Sequence, residues 1–250
     1  MQRQRELLAQ RPPDEAELRA RAAEQGPRRG FRAALVAGPR PALIAECKRR
    51  SPVLGLLRDD YNVRELAAAY QRAGASAISV LTSADFDGAP EHLLEAREAA
   101  TLPVLRKDFL LEPVQVIESA ALGADCVLLI ARLLPRQRLK EMVAQAHELG
   151  METLVEIHTA AELPAALASG TDVLGVNRRD LATFHVREGL LPAAAKKVPA
   201  DLPLVCESGI KSRADVALAS MNGATAVLVG EALVTCPDPE AKARELLGLT

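Results

Sequence analysis

The chain has 250 residues, 49% of them apolar, with a net charge of -2. That length suits one α/β barrel with a sizeable core, and the balanced charge offers no basic field for nucleic acid. Aromatic residues make up only 2% and tryptophan is absent, which argues against a base-stacking platform.

No apolar run approaches the roughly 18 residues of a membrane span, so no membrane partner is expected. The N-terminus is rich in Arg and Glu and lacks the apolar core of a secretory signal, so a cytoplasmic location is expected. Cys47, Cys126, Cys206 and Cys236 are widely scattered without a C-x-x-C pair, and three of them lie in apolar strand-like runs. They read as reduced core thiols, not as zinc ligands or disulfides.

Residues 1 to about 32 are charged and Ala-rich, and residues 1–40 are expected to form an N-terminal helical extension, with a partly disordered tail as the alternative. Pro12-Pro13-Asp14 is placed to end one helix and start the next. From residue 41 to 250 the pattern becomes regular. Short β-rich runs (Ala42 to Cys47, Ala77 to Leu81, Pro103 to Lys107, Cys126 to Ile130, Thr153 to Ile157, Val173 to Val176, Leu204 to Cys206, Ala226 to Val229) alternate with stretches of helical period. The joints between them resemble one another, as in Ala-Gly-Ala-Ser-Ala-Ile and Leu-Gly-Ala-Asp-Cys-Val. Gly74, Gly123, Gly170 and Gly223 fall just past a helix, where a left-handed residue is needed. Continuous apolar strands such as Val127-Leu128-Leu129-Ile130 suit a parallel sheet covered by helices. Eight βα units and no Gly-x-Gly-x-x-Gly after a strand predict a closed (β/α)8 TIM barrel.

Within the first strand Ile44, Glu46 and Lys48 share one face, so two opposite charges stand on a side otherwise fit for burial. Barrel chemistry is assembled at the carboxyl ends of the strands. There the first strand carries Glu46 and Lys48, the third Lys107 and Asp108, the fifth Glu156, the sixth Asn177 and Arg179, and the seventh Glu207-Ser208-Gly209. Gly230-Glu231 ends the eighth. Each of these residues taken singly also fits a structural role, as a capping or ion-paired group. Together they would converge on one mouth, where titratable groups shift one another's pKa values as proton transfer requires. Ser51, Ser208-Gly209 and Gly230-Glu231 are the candidates for holding a phosphate, the last with a short helix opening after Gly230.

The residues from about Pro41 to Leu247 resemble the indole-3-glycerol-phosphate synthase family, and a helical N-terminal extension is also typical of it. The resemblance is carried by Ile44-Ala45-Glu46-Cys47-Lys48-Arg49-Arg50-Ser51-Pro52, Leu105-Arg106-Lys107-Asp108-Phe109, Leu154-Val155-Glu156-Ile157-His158, Gly175-Val176-Asn177-Arg178-Arg179-Asp180-Leu181 and Glu207-Ser208-Gly209-Ile210. It implies ring closure, decarboxylation and dehydration of 1-(2-carboxyphenylamino)-1-deoxyribulose 5-phosphate to indole-3-glycerol phosphate, a step of tryptophan biosynthesis. It further implies Lys107 as general acid, Glu156 as general base or second proton donor, and Lys48 on the substrate carboxylate. Glu46, Asn177, Arg179, Glu207 and Ser208 would line the pocket, and Ser51, Gly209, Gly230 and Glu231 would bind phosphate. No metal and no organic cofactor is implied. The partner is the anthranilate-derived sugar phosphate alone, and the chain is expected to act as a monomer.

Two stretches depart from the family pattern. Val53 and Leu54 stand where a second serine and often a lysine usually follow Ser-Pro, and Leu81 to Gly88 is about one residue short. Phe86 is the aromatic kept there, and with Phe109 it is a candidate to sandwich the anthranilate ring. These changes bear on turnover more than on reaction type.

Overall fold

Eight runs of β-branched and aliphatic residues form strands: β1 (Ala42–Cys47), β2 (Ala77–Leu81), β3 (Val104–Lys107), β4 (Cys126–Ile130), β5 (Glu152–Ile157), β6 (Val173–Asn177), β7 (Leu204–Glu207) and β8 (Ala226–Val229). In the computed structural model, which describes residues 14–38, 41–179 and 189–249, each strand pairs in parallel with the next. β8 returns to β1 with Ala42 opposite Ala226 and Ile44 opposite Leu228, so the sheet closes into a TIM barrel. The expected strands are all present, and they differ only at their ends. β6 and β7 each run one residue further than their apolar pattern, to Asn177 and Glu207, which lie opposite each other in the ladder. The sheet's own hydrogen bonds thereby fix two of the polar strand ends, and no loop is needed to hold them.

Helices α1 (Glu15–Glu24) and α2 (Phe31–Ala37) precede the barrel. Those that cover it are α3 (Val63–Ala73), α4 (Glu91–Ala99), α5 (Pro113–Ala121), α6 (Arg136–Glu148), α7 (Leu163–Ala168), α8 (Leu190–Ala195), α9 (Arg213–Met221), α10 (Glu231–Val234) and α11 (Pro239–Leu247). Asp14 starts α1 as expected, its carboxylate accepting from the backbone N–H groups of Ala16 and Glu17. Pro12 and Pro13 lie outside the described residues. The glycine joints adopt the left-handed backbone expected of them. Gly74 has φ 90°, and its N–H returns to the Gln71 and Tyr70 carbonyls at the end of α3.

Strand alternation divides the core in two. On β1, Leu43, Ala45 and Cys47 face the helices, while Ala42 and Ile44 face inward with Leu105, Leu128, Leu154, Val205 and Leu228. Phe31 and Leu35 of α2 join that inner cluster. Arg29 and Arg32 donate backbone N–H groups to Asp125 and Glu152, at the starts of β4 and β5. The extension thus closes the amino-terminal end of the barrel, which leaves the carboxyl end open for a ligand.

Cys47, Cys126 and Cys206 are buried free thiols, and burial pushes Cys206 up to about 11, out of the range of a reactive thiolate. Among the described residues no helix is long and apolar enough to cross a membrane, and no group of three or more His, Cys, Asp or Glu side chains could hold a metal ion.

Candidate active site

Because inward positions recur every second residue, the place above each apolar floor residue is set by the strand itself. Two residues beyond inward-facing Ile44, Leu105, Leu154 and Val205 come Glu46, Lys107, Glu156 and Glu207. Gly175, opposite Glu156 in the ladder, is followed at the same interval by Asn177. The barrel therefore changes from hydrocarbon to charge within one layer.

Lys107 lies at the centre of that layer. Its Nζ is 3.3 Å from Glu156 Oε2 and 3.3 Å from Glu207 Oε2, with all three side chains largely buried. Lys48 Nζ lies 3.3 Å from Glu46 Oε2, joining the two charges that the sequence put on one face of β1. Burial opposes the ammonium of Lys107, but the carboxylates of Glu156, Glu207 and Glu46 overcome it and hold its pKa above the ordinary lysine value. For Glu156, burial acts to raise the pKa, and Lys107, His158 and hydrogen bonds with Glu207 and Asn177 more than reverse it, so the group stays ionised. Glu207 goes the other way: burial, the charge of Glu156 and the hydrogen bond shared with it drive its pKa well up. The two carboxyls thus lean in opposite directions, Glu156 toward the ionised and Glu207 toward the protonated form. Glu46, Glu156 and Glu207 face the ammoniums of Lys48 and Lys107 within this layer.

A cavity opens above this layer. Glu46, Lys48, Lys107, Asn177, Arg179 and Glu207 line one part of it. Ser51, Phe86, Ser208, Gly209, Gly230 and Glu231 also line it. Glu156 and Phe109 are not at the cavity wall. Glu156 stays behind the wall, its Oε2 3.3 Å from the ammonium of Lys107, which does line the cavity.

Asn177 Oδ1 accepts from Ser208 Oγ at 2.8 Å and from the Arg179 N–H at 3.0 Å. Ser208 reaches it from a left-handed backbone (φ 66°), a conformation that costs a non-glycine residue on the order of 1 kcal/mol. Arg178 secures that turn by donating to the Ser208 carbonyl at 2.8 Å. α10 opens directly after Gly230, as expected. The Glu231 carboxylate lies 3.8 Å from Arg179 Nη2, so it is the backbone at this position, and not the acid, that suits a phosphate.

Phe86 and Phe109 have ring centroids 6.3 Å apart at 31°. That is the spacing of a direct aromatic pair. Arg50–Ser51 and Gly55–Leu56 form a small antiparallel hairpin at the mouth, an element that Val53 and Leu54 gave no cause to expect. Val53 lines the cavity and Leu54 is exposed at the tip, while Arg50 Nε ties the hairpin to Asp87 Oδ2 at 2.7 Å. Of the motif at β6, Asp180 and Leu181 lie outside the described residues. The sequence reading missed Lys211, a cavity-lining cation three residues past Ser208, and His158, which packs against Glu156. Both sit just beyond strand ends already marked as polar, which was the available signal.

Comparison with known proteins gives a consistent result. The family model for indole-3-glycerol phosphate synthase matches residues 1–246. The chain is 47% identical over 239 residues to the indole-3-glycerol phosphate synthase of Azoarcus sp. (strain BH72), covering 92% of this chain and 90% of that protein. It is 46% identical over 235 residues to indole-3-glycerol phosphate synthase 2 of Streptomyces coelicolor, covering 94% and 91%. Among solved structures it resembles a mutant tryptophan synthase alpha-subunit from the hyperthermophile Pyrococcus furiosus, with a TM-score of 0.64 at 19% identity, covering 83% of this chain and 98% of that one. That last likeness concerns the fold alone. On the family match and the two close relatives, the chain belongs to the indole-3-glycerol phosphate synthase family.

Proposed function

We propose that this protein converts 1-(2-carboxyphenylamino)-1-deoxyribulose 5-phosphate to indole-3-glycerol phosphate with release of CO₂ and water, and that Lys107 and Glu156 carry the proton transfers. The observation that supports this most is the position of Lys107, an ammonium at a cavity floor touching two carboxylates of different protonation tendency.

In this reading the ring carbon bearing the carboxylate attacks the ribulose carbonyl, and Lys107 gives a proton to the oxygen as the new bond forms. A positioned acid of this kind contributes about 10²- to 10⁴-fold. Loss of CO₂ returns its bonding electrons to the ring. Dehydration then removes a proton from the carbon next to nitrogen while the hydroxyl leaves as water. Glu156 serves that second stage, uncovered when the flexible lysine stem swings toward the substrate oxygen.

Lys48 takes the substrate carboxylate, with Glu46 keeping it aligned, and Asn177, Arg179, Glu207 and Ser208 orient the sugar. Ser51 and the backbone at Gly209, Gly230 and Glu231 take the phosphate. Phe86, backed by Phe109, supplies an apolar wall for the ring. Clamping both anionic ends of a flexible molecule brings the reacting carbons into near-attack geometry.

The test is a steady-state assay of the purified protein on this substrate. Indole fluorescence should rise in step with one equivalent of CO₂. Binding of the substrate without either signal would reject the proposal.

A further inference from the structure

His158 follows Glu156 by two residues and so occupies the next inward position beyond β5. Its side chain is almost wholly buried, and Nε2 lies 3.2 Å from Glu156 Oε1. Among the described residues neither ring nitrogen has a partner in hydrogen-bond geometry, so the Nε2–Oε1 contact is close but poorly aligned. A buried imidazole with both nitrogens unmatched is costly unless a later state uses it. The two oxygens of Glu156 are thereby divided, Oε2 toward Lys107 and Oε1 toward His158.

From this division we propose that His158 is a positioning residue for the proton-transfer step. Its Nε2–H holds Glu156 Oε1 and keeps Oε2 aimed at Lys107 and the cavity. The inference rests on the assignment of Glu156 given above. Misaligned catalytic hydrogen bonds commonly tighten when a substrate fills the site, and a ring already in reach needs only a small rotation. The backbone of His158 is fixed for such a motion, since its N–H donates to Glu162 Oε2 at 2.7 Å.

The groups that face the ring come from four elements: Glu156 on β5, Glu162 before α7, Arg132 in the turn after β4 and Lys107 on β3. Burial lowers the His158 pKa, Glu156 and Glu162 oppose this, and Arg132 and Lys107 add to it, with a net decrease. The lowered pKa favours the neutral ring with a single N–H, which the carboxylate 3.2 Å away draws to Nε2. An Nε2–H held on Glu156 Oε1 favours the carboxylate form, so His158 acts to keep the Glu156 pKa down.

The test compares His158→Leu, His158→Asn and Glu156→Gln in the intact protein. His158→Leu should lower kcat about tenfold or more, the scale of a small misplacement in a reacting site, with KM within about twofold. The acid limb of its kcat–pH profile should move to higher pH, because Glu156 loses a group that keeps it ionised. His158→Asn, which retains a side-chain N–H, should recover part of both effects, and it keeps the test open if the leucine variant does not fold.

Ring-nitrogen NMR of the wild-type protein should find the proton on Nε2. Its titration should move lower in Glu156→Gln, where the attracting carboxylate is gone. If both His158 variants keep wild-type kcat and an unmoved acid limb while Glu156→Gln is inactive, His158 only fills space and the proposal falls. An active Glu156→Gln would instead remove the assignment on which it rests.

Discussion

A Cβ atom on Gly175 would stand 2.3 Å from Glu207 Oε1 and 2.7 Å from Leu154 Cδ2. The missing side chain on β6 is what lets the Glu207 carboxyl lie flat across the barrel and reach Lys107. Gly175→Ala should therefore destabilise the fold by about 1–3 kcal/mol, the usual penalty for overpacking a core. It should also lower turnover, because Glu207 must move from its place beside Lys107. Urea unfolding and steady-state kinetics on the same preparation check both effects, and an unchanged protein would mean that Glu207 has room elsewhere.

Glu207 should make stability fall as pH rises. Its pKa is raised in the folded state, so its contribution is fully present below the ordinary glutamate value of 4.5 and is lost as pH climbs through the folded value. Glu156 is lowered and acts in the opposite window, losing its contribution as pH falls below 4.5. Glu207→Gln, neutral throughout, should remove the decline above pH 4.5, which for one proton is at most about 1.4 kcal/mol per pH unit. Unfolding free energies of both proteins at pH 5 and pH 8 provide the comparison. Parallel curves would contradict the raised pKa of Glu207.

The barrel was readable because eight apolar runs repeat one βα unit, and period alone places each strand to within a residue or so. Lys48, Lys107 and Glu207 were readable because an ionisable residue ending an apolar strand has few structural reasons to be there. Depth was not readable. Alternation gives the direction of Glu156 but not that it stays behind the wall that Lys107 lines, since the length and tilt of a lysine stem are settled by its neighbours across the barrel. Nor was the spacing of Phe86 and Phe109, which comes from two loops whose approach no local pattern encodes.

Asp125 joins the N-terminal extension to the barrel. Fully buried before β4, it accepts from the Arg29 N–H at 2.8 Å, the Val104 N–H at 2.9 Å and Arg97 Nη1 at 2.6 Å. Asp125→Ala leaves a mostly buried guanidinium and two backbone donors without their acceptor, at a cost of about 3–5 kcal/mol. A thermal melt against wild type gives the answer. Loss of α1 and α2 from the barrel should appear as protease cleavage near residues 25–30.

The hairpin tip tests how far the departures from the family pattern affect binding. Leu54 is 55% exposed and Val53 lines the cavity, so neither is needed for folding. Val53→Ser with Leu54→Lys should change stability by no more than about 0.5 kcal/mol. An added ammonium at the mouth should lower KM for the anionic sugar phosphate, more at low ionic strength than at high. Steady-state kinetics at two salt concentrations decides it, and an equal KM in both proteins would mean that the tip lies too far from the phosphate.

The account depends above all on hydrogen ions passing between Lys107, Glu156 and the substrate. The most direct measurement is the turnover of Lys107→Ala and Glu156→Gln, followed by indole fluorescence, with circular dichroism to establish that each remains folded. Each should lose about 10²- to 10⁴-fold in kcat. A folded variant of either kind that turns over at close to the wild-type rate would contradict the assignment.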